Sequence, residues 1–301
     1  LSTPLLDNRQ LGPDVARPNL LTNGGFEVWQ RGNGPFTANN AFTADRWIIG
    51  INGTDSLGVS RDGGNHDVGS QYAANCTCTK GNGTFANINQ TLQVSENGIR
   101  GKTITLSMRV ATATANAMRL GIGTNGTGGT TTYSAYHTGG GGWQTLSVTN
   151  TIPSDATLGV QYVFFDLSAA AILDNAMLVI GSQPANYVPL HPADDLNRCL
   201  RYYEVRSDAY MASGYNVNTT LAEFVHKYVA HKGGTPTATI TAASGFAVRA
   251  QGANTACNTL GANVPGLDSA LVQFTVASGL TAGQGSLLNS GGGSIAMEWN
   301  P

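Results

Sequence analysis

Charge is scarce in this chain. Of its 301 residues only 11% are Asp, Glu, Lys or Arg, and the net charge is -2, whereas soluble domains carry about a quarter of their residues charged. A chain so poor in cations offers no basic patch to a phosphate backbone, which sets nucleic acid aside as a partner. Cysteine is also sparse. Cys76, Cys78, Cys199 and Cys257 contain no C-x-x-C pair and have no histidine partners at zinc-site spacing, so they read as small apolar residues of a chain assembled in a reducing cytoplasm. On a strand, Cys76 and Cys78 share a face.

Long apolar runs are missing. None approaches the roughly 18 residues that a bilayer requires, so no membrane insertion is expected. Residues Leu1 to Asp7 show neither the basic nor the apolar part of a secretory leader. There is no G-x-S-x-G elbow, no H-E-x-x-H and no P-loop. Asp45, Asp55, Asp62, Asp67 and Asp166 are not paired by any pattern into the two carboxylates of a glycosidase. His226 and His231, five apart, would point to opposite faces of a strand. No fixed-period repeat, collagen triplet or sustained heptad marks a fibrous shaft.

What is abundant is neutral and polar: 39 glycines with many Asn, Thr and Ser, beside 41% hydrophobic residues, enough to exclude disorder. Such a surface suits contact with sugars or with identical copies. Apolar and polar residues alternate over Thr103–Val110 and Trp143–Val148, as half-buried strands require, and Gly159–Phe165 and Leu173–Val179 read as further strands of the same set. Glycine clusters at 123–129 and 139–142 punctuate them. Leu196, Cys199, Leu200 and Tyr203 follow Asp194-Asp195 at helical spacing. Beyond them, Ala222–Val229, Thr235–Thr241, Phe246–Arg249, Ala270–Val276 and Ser294–Trp299 read as further strands.

The expected fold is all-β: an antiparallel jelly-roll β-sandwich, a short linking helix and a second, smaller β-sandwich. The expected divisions are an extended arm at 1–18, the jelly roll at 19–190, the helix at 191–206 and the second sandwich at 207–301. Tyr133, Tyr136, His137 and Trp143 flank the glycine run and could form an aromatic face for a sugar, with the glycines allowing close approach. For Trp143 the core reading is the stronger of the two. Arg201-Tyr202-Tyr203-Glu204 reads as structural.

Several blocks, in order, resemble the carbohydrate-binding-module type of jelly roll found in bacteriophage fibre and spike proteins. They are Asn19-Leu20-Leu21 through Glu27, Phe42 to Trp47, Gly101 to Ser107, Gly142-Trp143-Gln144 with Ile152-Pro153, Leu173-Asp174-Asn175 through Gly181, and the segment Leu196 to Glu204. The resemblance covers about 190 residues and reads Asn19–Glu27 as the opening strand. It implies a non-catalytic virion appendage, made in the host cytoplasm and displayed on the particle. Such a protein would act as a multimer, often a homotrimer, attaching to host-surface glycan and contacting other virion proteins through the N-terminal arm. It also implies a structural calcium with Glu27 and Asp174 as side-chain ligands. The alternative for that pair is a turn cap at Glu27 and a local turn contact at Asp174. Two other functions stay open: a head-fibre, decoration or tail-tip subunit that binds only virion proteins, and a polysaccharide-degrading enzyme.

Overall fold

The computed structural model describes residues 17–95 and 97–300. The chain forms two compact units, divided between Leu196 and Asn197. Both are all-β and antiparallel, with a single α-helix, α1 (Pro192–Leu200), among the described residues.

The first unit is a sandwich of two five-stranded sheets. One runs in the order β1 (Ile48–Ile51), β4 (Ala86–Gln93), β9 (Leu158–Phe165), β6 (Met118–Thr124) and β7 (Thr131–Tyr133). The other runs β2 (Ser56–Asp62), β3 (Ala73–Thr79), β10 (Ala169–Ile180), β5 (Thr103–Thr112) and β8 (Trp143–Thr151). Burial alternates along several of these strands. Along β9, Gly159, Gln161, Val163 and Phe165 are buried, while Val160, Tyr162 and Phe164 on the opposite face are half-exposed. Cys76 and Cys78 both point into the core from β3. Burial pushes the Cys78 thiol up to about 11 and the Cys76 thiol higher, so neither is a reactive thiolate.

The opening segment is not the strand that the resemblance implies. Residues 21–26 form turns and bends, with irregular backbone on either side, because the chain must reverse at Asn23 and Phe26, both at positive φ (55° and 54°). Their hydrogen bonds go to side chains and to β10. The Asn23 side chain donates to the Val28 and Asp45 carbonyls (2.9 and 3.1 Å) and accepts from the Val28 N–H (3.0 Å). The Asn23 carbonyl accepts from the Trp47 indole (2.9 Å), and Trp47 stacks on Phe26 at 4.8 Å between ring centres. Both rings are fully buried. Phe26 of the opening block and Trp47 of the second block thus form one stacked pair within the first unit's core.

In the second unit six strands close into a barrel: β12 (Tyr210–Asn216), β13 (Leu221–Lys227), β17 (Ser269–Val276), β16 (Ala253–Pro265), β15 (Phe246–Ala250) and β18 (Gly285–Ser290). Phe224, Phe246 and Phe274 fill its core. A three-stranded sheet of β11 (Tyr203–Arg206), β19 (Ile295–Glu298) and β14 (Thr237–Ile240) completes it. The helix is therefore shorter than the span expected at 191–206. It stops at Leu200, and Tyr203–Arg206 instead pair with β19. The pairing is fixed by Glu204, which is buried with Lys232 (3.2 Å). Tyr202 stacks on Trp299 at 5.4 Å. Arg201-Tyr202-Tyr203-Glu204 is thus structural within this unit. Of the arm expected at 1–18, residues 1–16 lie outside the described residues. Arg17 donates to the Gln183 and Pro184 carbonyls (3.0 and 2.6 Å).

Replacing Trp47 by alanine removes the largest fully buried ring and leaves the Asn23 carbonyl without its donor. We expect a loss of about 3–5 kcal/mol in the first unit's stability, read by urea denaturation followed by circular dichroism.

Candidate functional site

The face of the β1–β4–β9–β6–β7 sheet turned away from the core carries three rings on two strands. Tyr162 and Phe164 project from β9 and Tyr133 from β7. Strand register brings them together. Phe164 lies opposite Asn87 on β4 and Arg119 on β6, and Tyr162 lies opposite Asn89 and Gly121. Gly121 in turn lies opposite Tyr133. Tyr162 and Phe164 stack at 4.8 Å, and Tyr133 meets Phe164 edge-on at 5.4 Å.

The rings lean over β6 because that strand has no side chains beneath them. A Cβ on Gly121 would sit 2.8 Å from the Phe164 ring, and one on Gly123 would sit 2.9 Å from the Tyr162 ring. Polar groups border the rings on both sides. On one side Asn89 donates to Asn87 (2.8 Å). On the other the Arg119 guanidinium lies 3.9 Å from the centre of the Tyr133 ring and 5.0 Å from that of Tyr136. Asp166 holds this corner, paired with Arg119 Nε (2.6 Å) and accepting from the Tyr136 hydroxyl (2.9 Å). Burial and the Asp166 carboxylate raise the Tyr136 phenol, which stays a neutral donor. Flat apolar faces flanked by amides and a guanidinium match the chemistry of a sugar, whose C–H face stacks on rings while its hydroxyls take directional hydrogen bonds.

Of the residues expected to form a sugar face, Tyr133 is part of this platform and is 43% exposed. Tyr136 borders it. His137 does not belong to it: it is buried, with Nε2 against the Val110 carbonyl (3.1 Å) and Nδ1 accepting from the Gly139 N–H (2.9 Å). Trp143 lies on β8, in the other sheet, half-buried opposite Ala111 and with the Arg109 guanidinium 5.8 Å from its ring. The glycine run also has another task. Gly140 and Gly141 donate to the Ala113 and Thr112 carbonyls (3.1 and 3.0 Å) at the end of β5, in left-handed backbone at φ of +82° and +80°. Sequence reasoning missed Tyr162, Phe164 and Arg119. The signal that could have found them is the period-two pairing of Tyr162 and Phe164 in one strand with Gly121 and Gly123 in another.

Glu27 and Asp174 are close enough to act on each other electrostatically, but their oxygens are already engaged. Glu27 accepts from the Gln71 N–H (2.7 Å). Asp174 accepts from the Asp67 N–H (2.9 Å), the Ser70 hydroxyl (3.1 Å) and the Asn175 N–H (2.7 Å). No group of three or more metal-ligating side chains occurs among the described residues. Calcium needs six to eight oxygens, and a pair of carboxylates filled by N–H donors does not fit it. Of the local turn contacts expected as the alternative, only the bond from the Asn175 N–H to Asp174 is present; the other donors come from the segment Asp67 to Gln71, far away in the chain. His226, expected on a strand, is fully buried in β13, and His231 pairs with Asp268 (2.8 Å).

No protein-family model matches the chain, and no curated protein matches it. Among solved structures it is similar to the enzymatically active domain of tailspike protein 4 of bacteriophage CBA120, at 14% identity and a TM-score of 0.37 over 54% of this chain. The chain spans only 21% of that structure's length. It is also similar to the CBM22-1 xylan-binding domain of Paenibacillus barcinonensis Xyn10C, at 14% identity and a TM-score of 0.37, covering 55% of this chain and 97% of that one. A third is TmCBM61 in complex with β-1,4-galactotriose, at 12% identity and a TM-score of 0.36, covering 55% and 99%.

Asp174 is fully buried, and burial, aided by the charge of Glu27, pushes its carboxyl up to about 6 in spite of its three donors. The folded state therefore holds a proton there that the unfolded chain releases near pH 3.9. The stability this proton supplies is complete below that value and is lost as pH rises through about 6. Asp174→Asn cannot ionise. From pH 4 to 7 the stability of the native protein should fall by about 2 kcal/mol relative to the variant, measured as the difference between their thermal midpoints.

Proposed function

We propose that the first unit binds a glycan, without catalysis, on the platform formed by Tyr133, Tyr162 and Phe164. The observation that carries this reading is the three-ring surface itself, set between Asn89 on one flank and Arg119 on the other. Asp166, the carboxylate at the platform, is tied to Arg119 and Tyr136, which makes it a positioning group for the rings. The order of sequence blocks resembling phage fibre jelly rolls supports a place on a virion appendage that reaches a host surface. Single-sugar contacts of this kind are weak, on the order of millimolar to micromolar, and repeated copies on one particle turn them into firm attachment.

A second reading, a subunit that packs against other chains, is favoured by one feature of the barrel. Leu287, Ser213, Val225, Leu271 and Val264 lie side by side across neighbouring strands. Leu287, Val225 and Val264 are 40%, 48% and 59% exposed. An apolar row of this kind invites contact. Both readings include multimers, and a trimer is the expected mass by light scattering.

The deciding test is binding of fluorescently labelled protein to bacterial cells before and after enzymatic removal of their surface polysaccharide. The platform predicts polysaccharide-dependent binding that Tyr162→Ala weakens at least tenfold, an effect of about 1.4 kcal/mol, with the thermal midpoint little changed. Binding that is absent, or indifferent to both treatments, would sink the glycan reading in favour of packing.

A further inference from the structure

The barrel of the second unit has a recess of its own. It is open to solvent and about 410 Å³ in volume, within the range of small-ligand sites (about 300–1,000 Å³). It lies where β12, β18 and β15 run side by side. Arg249, Leu287 and Ser213 form one row across these strands. Gly285, two residues along from Leu287, offers no side chain on that same face. A Cβ there would meet nothing within 4 Å, so the missing side chain is what leaves the space open. The lip is the two-residue turn Gln251-Gly252, both in left-handed backbone (φ of 50° and 83°). This tight turn fixes Arg249 opposite Asn254, and the Gln251 amide donates to the Gln284 side chain (2.7 Å). Among the described residues, Arg249 is the only charged group that lines the recess. It is half-buried, yet neither its guanidinium nor the Ser213 hydroxyl has a hydrogen-bond or ion-pair partner among the described residues. Cations elsewhere are spent. Arg109, Arg119 and Arg206 each pair with an aspartate (2.6, 2.6 and 2.7 Å), and Lys232 pairs with Glu204 (3.2 Å). The Glu223 carboxylate of the barrel is taken by Tyr215 and Gln273 (2.8 and 2.5 Å).

We propose that this recess takes an acidic sugar, its oxyanion held by the Arg249 guanidinium and its ring lying over Gly285 against Leu287. The site stands apart from the aromatic platform and does not depend on it. An arginine presents a planar fork of N–H donors that matches two oxygens of a carboxylate or of a phosphate. Half-buried and without a carboxylate beside it, the Arg249 fork is complete only when an anion arrives. No acidic side chain lines the recess to repel one. The volume exceeds what a bare anion fills, which leaves room for the sugar that carries it. The Ser213 hydroxyl and the Gln251 amide border that room and can meet sugar hydroxyls, while the exposed Leu287 offers an apolar surface to the C–H face. A neutral sugar would leave the guanidinium unmatched, and an amino sugar would be repelled. Selection of an acidic sugar over its neutral counterpart follows from the one charge in the wall.

Ligand-observed NMR titration of the full chain at neutral pH with D-glucuronate, D-glucose 6-phosphate and D-glucose tests this. At least one of the two acidic sugars should bind at least tenfold more tightly than glucose, and the preference should shrink as salt is added. The tighter of the two names the anion: glucuronate assigns a carboxylated glycan, the phosphate a phosphorylated one. Arg249→Gln removes the charge and should abolish the preference. Arg249→Lys keeps a charge without the fork and should retain only part of it. Gly285→Val fills the recess and should weaken the acidic sugars at least tenfold. The thermal midpoint of each variant should stay close to that of the native protein, because the Arg249 guanidinium has no partner to lose and a side chain at Gly285 meets open space. Equal affinity for the three sugars, no binding of either acidic sugar, or full retention of the preference in folded Arg249→Gln would overturn the proposal. So would acetate or inorganic phosphate binding as tightly as the sugars, which would mark a site for a bare anion only.

Discussion

Asn19 holds both edges of an interrupted strand. Its Nδ2 donates to the Ala176 carbonyl (2.9 Å), and its Oδ1 accepts from the Leu178 N–H (2.9 Å) and from Leu21 (3.1 Å). Between them, β10 breaks register with β5 at Asp174–Met177, where Asn175 takes a positive φ of 51°. The Ala176 N–H, turned out of the ladder, donates to the Gly24 carbonyl (2.8 Å). The bulge and the opening segment thus satisfy each other, as buried backbone groups must. Gly24 is required there because a Cβ would fall 2.3 Å from the Ala176 carbonyl oxygen. From this junction the chain passes directly into the Asn23 turn and the Phe26–Trp47 stack, and moving it would disturb both.

The long alternating strands could be read from the sequence because period two and burial coincide in them. Thr103–Val110 and Gly159–Phe165 lie within β5 and β9, where one face meets a continuous core. The opening segment could not be read this way, because its hydrogen bonds run to side chains such as Gln90, which both donates to and accepts from Thr22 (2.9 Å each). Nor could β16, nearly all of whose residues are exposed on both faces, so that no apolar period marks it. The helix boundary was missed because Leu200 and Tyr203 keep helical spacing across the stop, where the distant Lys232 ammonium donates to the Leu200 carbonyl (2.5 Å). At the candidate site the sequence exposes the aromatic residues but not their neighbours. Tyr133 and Trp143 sit ten positions apart and end in different sheets, while Tyr133 and Phe164 meet across thirty-one.

The shortage of charge shapes the loops as well as the surface. Many of the acidic side chains serve the backbone before they serve any cation. Asp62 receives the N–H groups of Gly64 and Asn65 (2.7 and 2.9 Å). Asp155 receives Thr127 through both its N–H and its hydroxyl. Asp55 receives Gly81 and Gly83 (2.7 and 3.1 Å) in addition to its pairing with Lys80. Glycine-rich loops expose amide groups that need acceptors, and a carboxylate supplies several lone pairs at one point.

Gly121 and Gly123 give the aromatic platform an unusual kind of adjustability. The tilt of the Tyr162 and Phe164 rings is set from below, by atoms that the strand beneath them does not have. A methyl group added there would lift one ring without touching the surface that a ligand meets. The contour of the platform can therefore drift through changes at two positions that lie beneath the rings. In a surface that must follow a changing target, the contact residues can stay constant while the floor beneath them is recut.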